Sequence, residues 1–304
     1  MAAGATFGLV HPVLELLRHR LATGSRDDGR RLALAIEGGG SRGAFAGGMV
    51  AGLDDLGLAN AFDAVYGASA GALNGAWFLG GQAQVGTIGW SDPTIMRRVT
   101  NPWRLRRVVD TEHLVQVVYE AVPMDFAAIL ANPTTFHPMA TDADTGAAVD
   151  LRPYVVDQRT LQLALRASTG LPLLSGRPVP LGGRRWVDAG LAEAIPFRTP
   201  IADGATDVVV LRTRPVGWSA VPPSRLETVL VSRYLRRAAP GALAAWESRH
   251  TRQLADDADL AGHASILEIR PPADSPEVPR LTRDTVLLRR AVRLGREAVH
   301  AALG

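Results

Sequence analysis

Cysteine is absent from all 304 residues, and so is lysine. The first absence excludes a disulfide framework, a thiolate nucleophile and cysteine metal ligands, and it makes a cytoplasmic home the default expectation. The second makes all 33 basic residues arginine. Against 30 acidic residues the formal charge is only +3. The sequence pI near 9.9 therefore reflects the high pKa of guanidinium rather than a large positive excess. Such a balance calls for no nucleic-acid partner and permits a weak peripheral attraction to anionic membrane surfaces. No run of eighteen apolar residues occurs, so no spanning helix is expected. Met1–Val10 lacks a basic leader, and its apolar part stops at His11-Pro12, which does not read as a secretion signal.

What is present is 47% hydrophobic content, enough for one large α/β domain. Residues 1–30 read as an N-terminal arm with one amphipathic helix from Pro12 to about Leu21, and residues 31–304 as a single domain. Leu32–Ile36, Thr135–Ala140, Asp207–Leu211 and Ile266–Ile269 are short runs suited to strands. Helical patterns cover Ala44 to about Leu56, Thr160–Ser168, roughly Leu226–Arg237, Ala242–Asp256 and Thr282–Leu303. Strands alternating with helices predict a three-layer α/β/α fold around a mostly parallel sheet. Nothing in the pattern specifies an oligomeric state.

Two glycine-rich turns carry the chemistry. Gly67-Ala68-Ser69-Ala70-Gly71 is a G-x-S-x-G pentapeptide with an apolar run before it and an Ala- and Leu-rich segment after it. That is the strand–turn–helix context of a nucleophile elbow, with Ser69 at its tip and little room for a Cβ on either side. Earlier, Gly38-Gly39-Gly40-Ser41-Arg42-Gly43 follows the Leu32–Ile36 strand, where consecutive glycines can turn several N–H groups toward one point and make an anion-binding nest. Gly38, Gly40 and Gly43 also satisfy G-x-G-x-x-G. The acidic residue a dinucleotide site needs about twenty residues on has no clean candidate, because Asp54-Asp55 fall at a helix end. Trp77 and Phe78 either line an acyl channel or belong to the helix core. Asp142 and Asp144 read as turn formers. Arg97, Arg98, Arg104, Arg106 and Arg107, bracketed by Asp92 and Asp110, form a solvated helix face, with contact to lipid headgroup phosphates as the sharper reading.

Gly38-Gly39-Gly40-Ser41-Arg42-Gly43, then Gly67-Ala68-Ser69-Ala70-Gly71, then Asp188-Ala189-Gly190, taken in order, resemble the patatin-like phospholipase family of lipid acyl hydrolases. Ala167-Ser-Thr-Gly-Leu-Pro172 and Pro196 are similar too. The resemblance implies Ser69 as nucleophile and Asp188 as its base. It implies the amides of Gly38, Gly39 and Gly40 as an oxyanion hole, with Arg42, Gly43, Gly67, Gly71 and Gly190 supporting the motifs. It implies a lipid ester substrate, with no cofactor and no metal. Where the family usually has glycine, this chain has Ala189, so a turn needing positive φ there would be strained.

Two rivals stand beside this. A Ser–His–Asp triad could be met by Ser69, Asp207 and His250 or His263, with His137 a further histidine of structural aspect. The other is a membrane-surface binding module without turnover.

Overall fold

The computed structural model describes residues 11–104 and 107–304; Met1–Val10 of the expected arm and Arg106 of the arginine-rich stretch lie outside the described residues. The strands are β1 (Leu32–Ile36), β2 (Ala64–Ala68), β3 (Thr135–Asp142), β4 (Ala148–Asp150), β5 (Val179–Leu181), β6 (Arg184–Val187), β7 (Asp207–Leu211) and β8 (Ile266–Ile269). They form one sheet in the order β5-β6-β3-β2-β1-β7-β8, with β4 on β3. β3, β2, β1, β7 and β8 run parallel, while β4 and β6 pair antiparallel with β3.

Period-two alternation sends each strand's side chains to two separate cores. On β1, Leu32, Leu34 and Ile36 join the larger core with Met49, Leu73 and Leu165 from the helices Gly43–Asp55, Ala70–Leu79 and Gln158–Ser168. Ala33 and Ala35 face the other way, against Phe197 and Leu260. Both faces are covered, which gives three layers and explains why the parallel strands are apolar throughout. The helix Pro12–Thr23 starts on Pro12 with His11 as its cap. Its Val13, Leu16 and Leu17 are buried in the larger core, so its apolar face is packed rather than free.

Parallel pairing brings several chain turns to one end of the sheet. β1 and β2 are in register with Ile36 opposite Gly67, so the glycine cluster and the serine turn leave the sheet side by side. β7 pairs Leu211 with Ile36 and Asp207 with Leu32, which puts Asp207 at the opposite end. Open α/β sheets bind ligands at the carboxyl ends of their strands.

One reading of the sequence is corrected here, and one alternative is decided. The continuous helix over Ala242–Asp256 is two helices, Ala242–Glu247 and Arg249–Ala261, that break at Ser248. Asp92 and Asp110, which bracket the arginine stretch, are also helix caps: Asp92 accepts from the amides of Thr94 and Ile95, and Asp110 from that of His113. Trp77 and Phe78 belong to the larger core and line neither cavity described below. Asp142 does form its turn, accepting from the amides of Asp144 and Thr145.

Candidate active site

Ser69 stands between the end of β2 and the helix Ala70–Leu79, with φ 53° and ψ −123°. Positive φ is costly for a residue with a Cβ, roughly 1–3 kcal/mol, and persists only where the surroundings enforce it. Here they do. A Cβ on Gly71 would lie 2.2 Å from the Ile36 carbonyl oxygen, and one on Gly67 2.5 Å from Ala72 Cα. The two glycines thus let the turn close against β1 and against its own helix.

Asp188 arrives from β6, which is held on β3 by pairing of Val187 with Thr141. Ser69 Oγ donates to Asp188 Oδ2 at 2.7 Å, and the Gly190 amide donates to Oδ1 at 2.8 Å. The serine is 6% and the aspartate 5% exposed. Burial pushes the Asp188 carboxyl above the ordinary carboxylate range, opposed by the hydrogen bonds from Ser69 and Gly190 and by the charges of Arg280 and Arg249. Ala189 opens a short 3-10 turn over Ala189–Leu191, and Ser69 and Leu173 are the non-glycine residues with positive φ among those described. The turn therefore needs no positive φ at position 189, and the strain foreseen for alanine there does not arise.

The glycine cluster lies against the serine: a Cβ on Gly38 would sit 3.1 Å from Ser69 Cβ. Its three amides are not equivalent. The Gly38 N–H donates to the Ala194 carbonyl at 3.0 Å, so the expectation of three free donors is corrected to two. Gly39 and Gly40 have no acceptor for their N–H groups among the described residues. Gly40 holds φ 59°, and a Cβ on it would meet the Arg280 carbonyl oxygen at 2.5 Å. That carbonyl accepts from the Ser41 amide at 2.8 Å. A loop from the last quarter of the chain thus closes over the cluster. Gly43 opens the following helix against Ala70 and Trp90, and Arg42 is buried at 8% exposure.

The segment 168–170 ties nucleophile to carboxylate. Ser168 Oγ accepts from the Ser69 amide at 2.9 Å, and the Gly170 carbonyl accepts from the Asp188 amide at 3.0 Å. Thr141 Oγ1 donates to the Asp188 carbonyl at 2.9 Å. The sequence reading included Ser168 and Gly170 in the Ala167–Pro172 likeness without a role; Thr141 and Ala194 carried no signal.

Two cavities meet at Ser69. One, of about 380 Å³, is lined by Gly38, Gly39, Gly40, Arg42, Asp188 and several residues of the C-terminal third. The other, of about 90 Å³, is walled by Leu73, Trp90, Met96, Val99, Leu114 and Leu281. Neither is lined by His137, His250 or His263. His250 Nε2 lies 3.1 Å from the Ala220 carbonyl, His263 is exposed, and Asp207 pairs with Arg30 at 2.8 Å. The alternative triad is not assembled. His137, Asp150 and Asp203 bring ligand-type atoms within 4.8 Å of one another. Both His137 nitrogens are engaged, with Thr135 and Asp150, and Tyr66 donates to Asp203, so we assign no metal there. In the arginine stretch, Arg104 pairs with Asp110 and Arg107 with Glu112.

The family model described as patatin-like phospholipase matches residues 34–201. A relative from Escherichia coli (strain K12), the uncharacterized protein YjjU, is 34% identical over 198 residues, covering 61% of this chain and 52% of the relative. The chain spans about half the length of that curated relative. Among solved structures, VipD from Legionella pneumophila aligns with a TM-score of 0.51 over 90% of this chain and 66% of VipD, at 13% identity. That likeness concerns the fold alone.

Proposed function

The chain belongs to the patatin-like phospholipase family, and on that premise we propose that it is a serine lipid acyl hydrolase working through Ser69 and Asp188. The observation that carries the reading is the 2.7 Å hydrogen bond from a strained, buried serine to a buried carboxylate. A serine hydroxyl is a poor nucleophile until a neighbouring base takes its proton, and a carboxylate lifted by burial is a stronger base than a free one.

In the proposed sequence Ser69 Oγ attacks the ester carbonyl carbon while its proton passes to Asp188. The carbonyl oxygen becomes an oxyanion stabilised by the amides of Gly39 and Gly40. Collapse breaks the bond to the alcohol oxygen, which leaves with the proton from Asp188, and the acyl group stays on Ser69. Water then attacks the acyl-enzyme, its proton goes to Asp188, and Ser69 Oγ takes that proton as the fatty acid departs. The apolar cavity would take the acyl chain.

Peripheral membrane contact, on this reading, comes through the helix Arg225–Ala238 rather than the arginine stretch. Its exposed face carries Leu226, Val229 and Leu230, followed by the exposed Arg233 and Arg237. Leu226 and Leu230 reach the larger cavity's wall, which makes the apolar face continuous with the mouth of the site.

The test is hydrolysis of a phospholipid and of a short p-nitrophenyl ester by wild type, Ser69→Ala and Asp188→Asn, with folding checked by circular dichroism. Each variant is expected to lose about 10³-fold or more in kcat. Full activity of Asp188→Asn would remove the dyad; a wild type inert on both esters would favour the binding module.

A further inference from the structure

Among the described residues, the buried arginines besides Arg42 are Arg20 and Arg212, and both are satisfied. Arg20 meets Asp28 at 2.8 Å and Asp63 at 2.7 Å, and also donates to the carbonyls of Ala61 and Arg30. Arg212, 0% exposed, meets Glu37 at 3.0 Å and Asp257 at 2.7 Å, with Glu268 as a third partner. Leaving such a charge buried and unpaired is costly, because desolvation then has nothing to offset it.

Around the larger cavity at Ser69 the pattern reverses. Arg42, Arg249 and Arg280 line it, and Arg214, stacked on Trp218 at 3.9 Å, is close enough to act on Arg42. Among the described residues none of the four side chains has a carboxylate within 4.0 Å, and the buried Nε atoms of Arg42 and Arg214 have no acceptor. They repel one another. Burial, then Arg214 and Arg280, pull Arg42 down to about 9; burial, then Arg280, pull Arg249 down to about 10. The acidic residues on the same wall do not neutralise them. Glu37 is held by Arg212 and the Thr213 amide, and Asp188 by Ser69 and Gly190. Asp188 and then Glu227 draw on Arg249 from beyond ion-pair distance.

Guanidinium groups left with free donors at the wall of an open cavity match the oxygens of a phosphate, to which each can donate charge-assisted, often paired hydrogen bonds. Arg214, Arg249 and Arg280 lie outside residues 34–201, so three of the four arginines come from the part of this chain that the family model does not reach, and Arg42 alone from within it. Arg280 also lines the apolar cavity. An anion held here and an acyl chain held there would bracket Ser69.

We propose that Arg42, Arg249 and Arg280, backed by Arg214, form a subsite for a phosphate-type oxyanion beside Ser69, filled by the headgroup phosphate of the lipid substrate. The assignment of the headgroup rests on the hydrolase reading; the assignment of an anion site does not.

Two measurements on the full chain separate those claims. The first is thermal unfolding of wild type, Arg249→Gln and Arg214→Gln with increasing inorganic phosphate at constant ionic strength. Wild type is expected to show a saturable rise in Tm that each variant weakens. The second is the ratio of kcat/KM on a phospholipid to kcat/KM on a diacylglycerol with the same acyl chains. Loss of charge-assisted hydrogen bonds worth about 1.5–3 kcal/mol lowers that ratio by roughly tenfold to a hundredfold, through KM, with partial recovery in Arg249→Lys. A lowered ratio supports the headgroup site whether or not free phosphate binds. Phosphate stabilisation lost in the variants, with an unchanged ratio, keeps the anion site and moves its ligand from lipid to solution. No phosphate stabilisation together with an unchanged ratio overturns the proposal, including the case in which both lipids suffer equally because the arginines act only on Asp188. A wild type that hydrolyses neither lipid removes the hydrolase reading and leaves the phosphate titration to decide the anion site.

Discussion

Ser69 holds φ 53°, and Asp188 keeps its carboxyl 5% exposed with a hydroxyl and one amide as its hydrogen-bond partners. Both conditions oppose stability, and both suit a nucleophile and its base. The pH consequence follows from linkage. Asp188 begins from an ordinary value of 3.8 and is raised in the folded state. Between the unfolded and folded values the native protein holds a proton that the unfolded chain has released, so stability falls as pH rises through that window. Above it the whole penalty is present. Asp188→Asn removes it, so the variant is expected to melt at a higher temperature than wild type near neutral pH, with the gap closing below about pH 4. Calorimetry across pH checks this. In wild type the acid limb of kcat/KM is expected above the ordinary carboxylate range, since the base must lose its proton before it acts. A limb at or below pH 4 would contradict that.

At the scale of elements, the site depends on a helix far away in sequence. The helices Gly43–Asp55 and Thr285–Leu303 cross closely because glycines face each other's backbone. A Cβ on Gly48 would lie 1.8 Å from the Val292 carbonyl oxygen, and one on Gly295 2.0 Å from that of Phe45. Gly48→Ala is expected to cost about 2–3 kcal/mol by overpacking, measured by urea unfolding. It is also expected to lower activity, because the loop holding Arg280 against Gly40 leads directly into the displaced helix. Local pattern made much of this level legible. Leu32–Ile36 begins and ends where its apolar run does, because a strand buried on both faces has no polar positions to blur its ends. Ser69 was legible because its turn needs glycines at fixed offsets. Other features depend on contacts that no local pattern records. The break at Ser248 sits within an unbroken helical pattern, Ser168 reaches Ser69 across 99 positions, and the loss of Gly38 as a free donor depends on Ala194.

For the whole molecule, an organisation follows in which the matched region 34–201 supplies the serine, the carboxylate and the glycine turn. The C-terminal third completes the wall of the larger cavity and supplies the rim outside it. Val229, 62% exposed, lies on that rim without lining the cavity. Val229→Asp is therefore expected to lower hydrolysis of phospholipid vesicles about tenfold while hydrolysis of a soluble short ester stays within twofold, the burial of one such side chain being worth roughly 1.5 kcal/mol. Equal rates on vesicles would place membrane contact elsewhere. The arginine bias made this arrangement hard to read in advance, because 33 arginines conceal the few that lack partners, and pairing is decided only when distant carboxylates meet or fail to meet.

The central claim is that Ser69 is acylated with Asp188 as its base. Rapid mixing of the protein with excess p-nitrophenyl ester, followed by acid quench and peptide mass spectrometry, measures it directly. An acyl adduct is expected on the peptide carrying Ser69 in wild type, formed at least about 10³-fold more slowly in Asp188→Asn. An adduct on another residue, or acylation of Asp188→Asn at the wild-type rate, would contradict it.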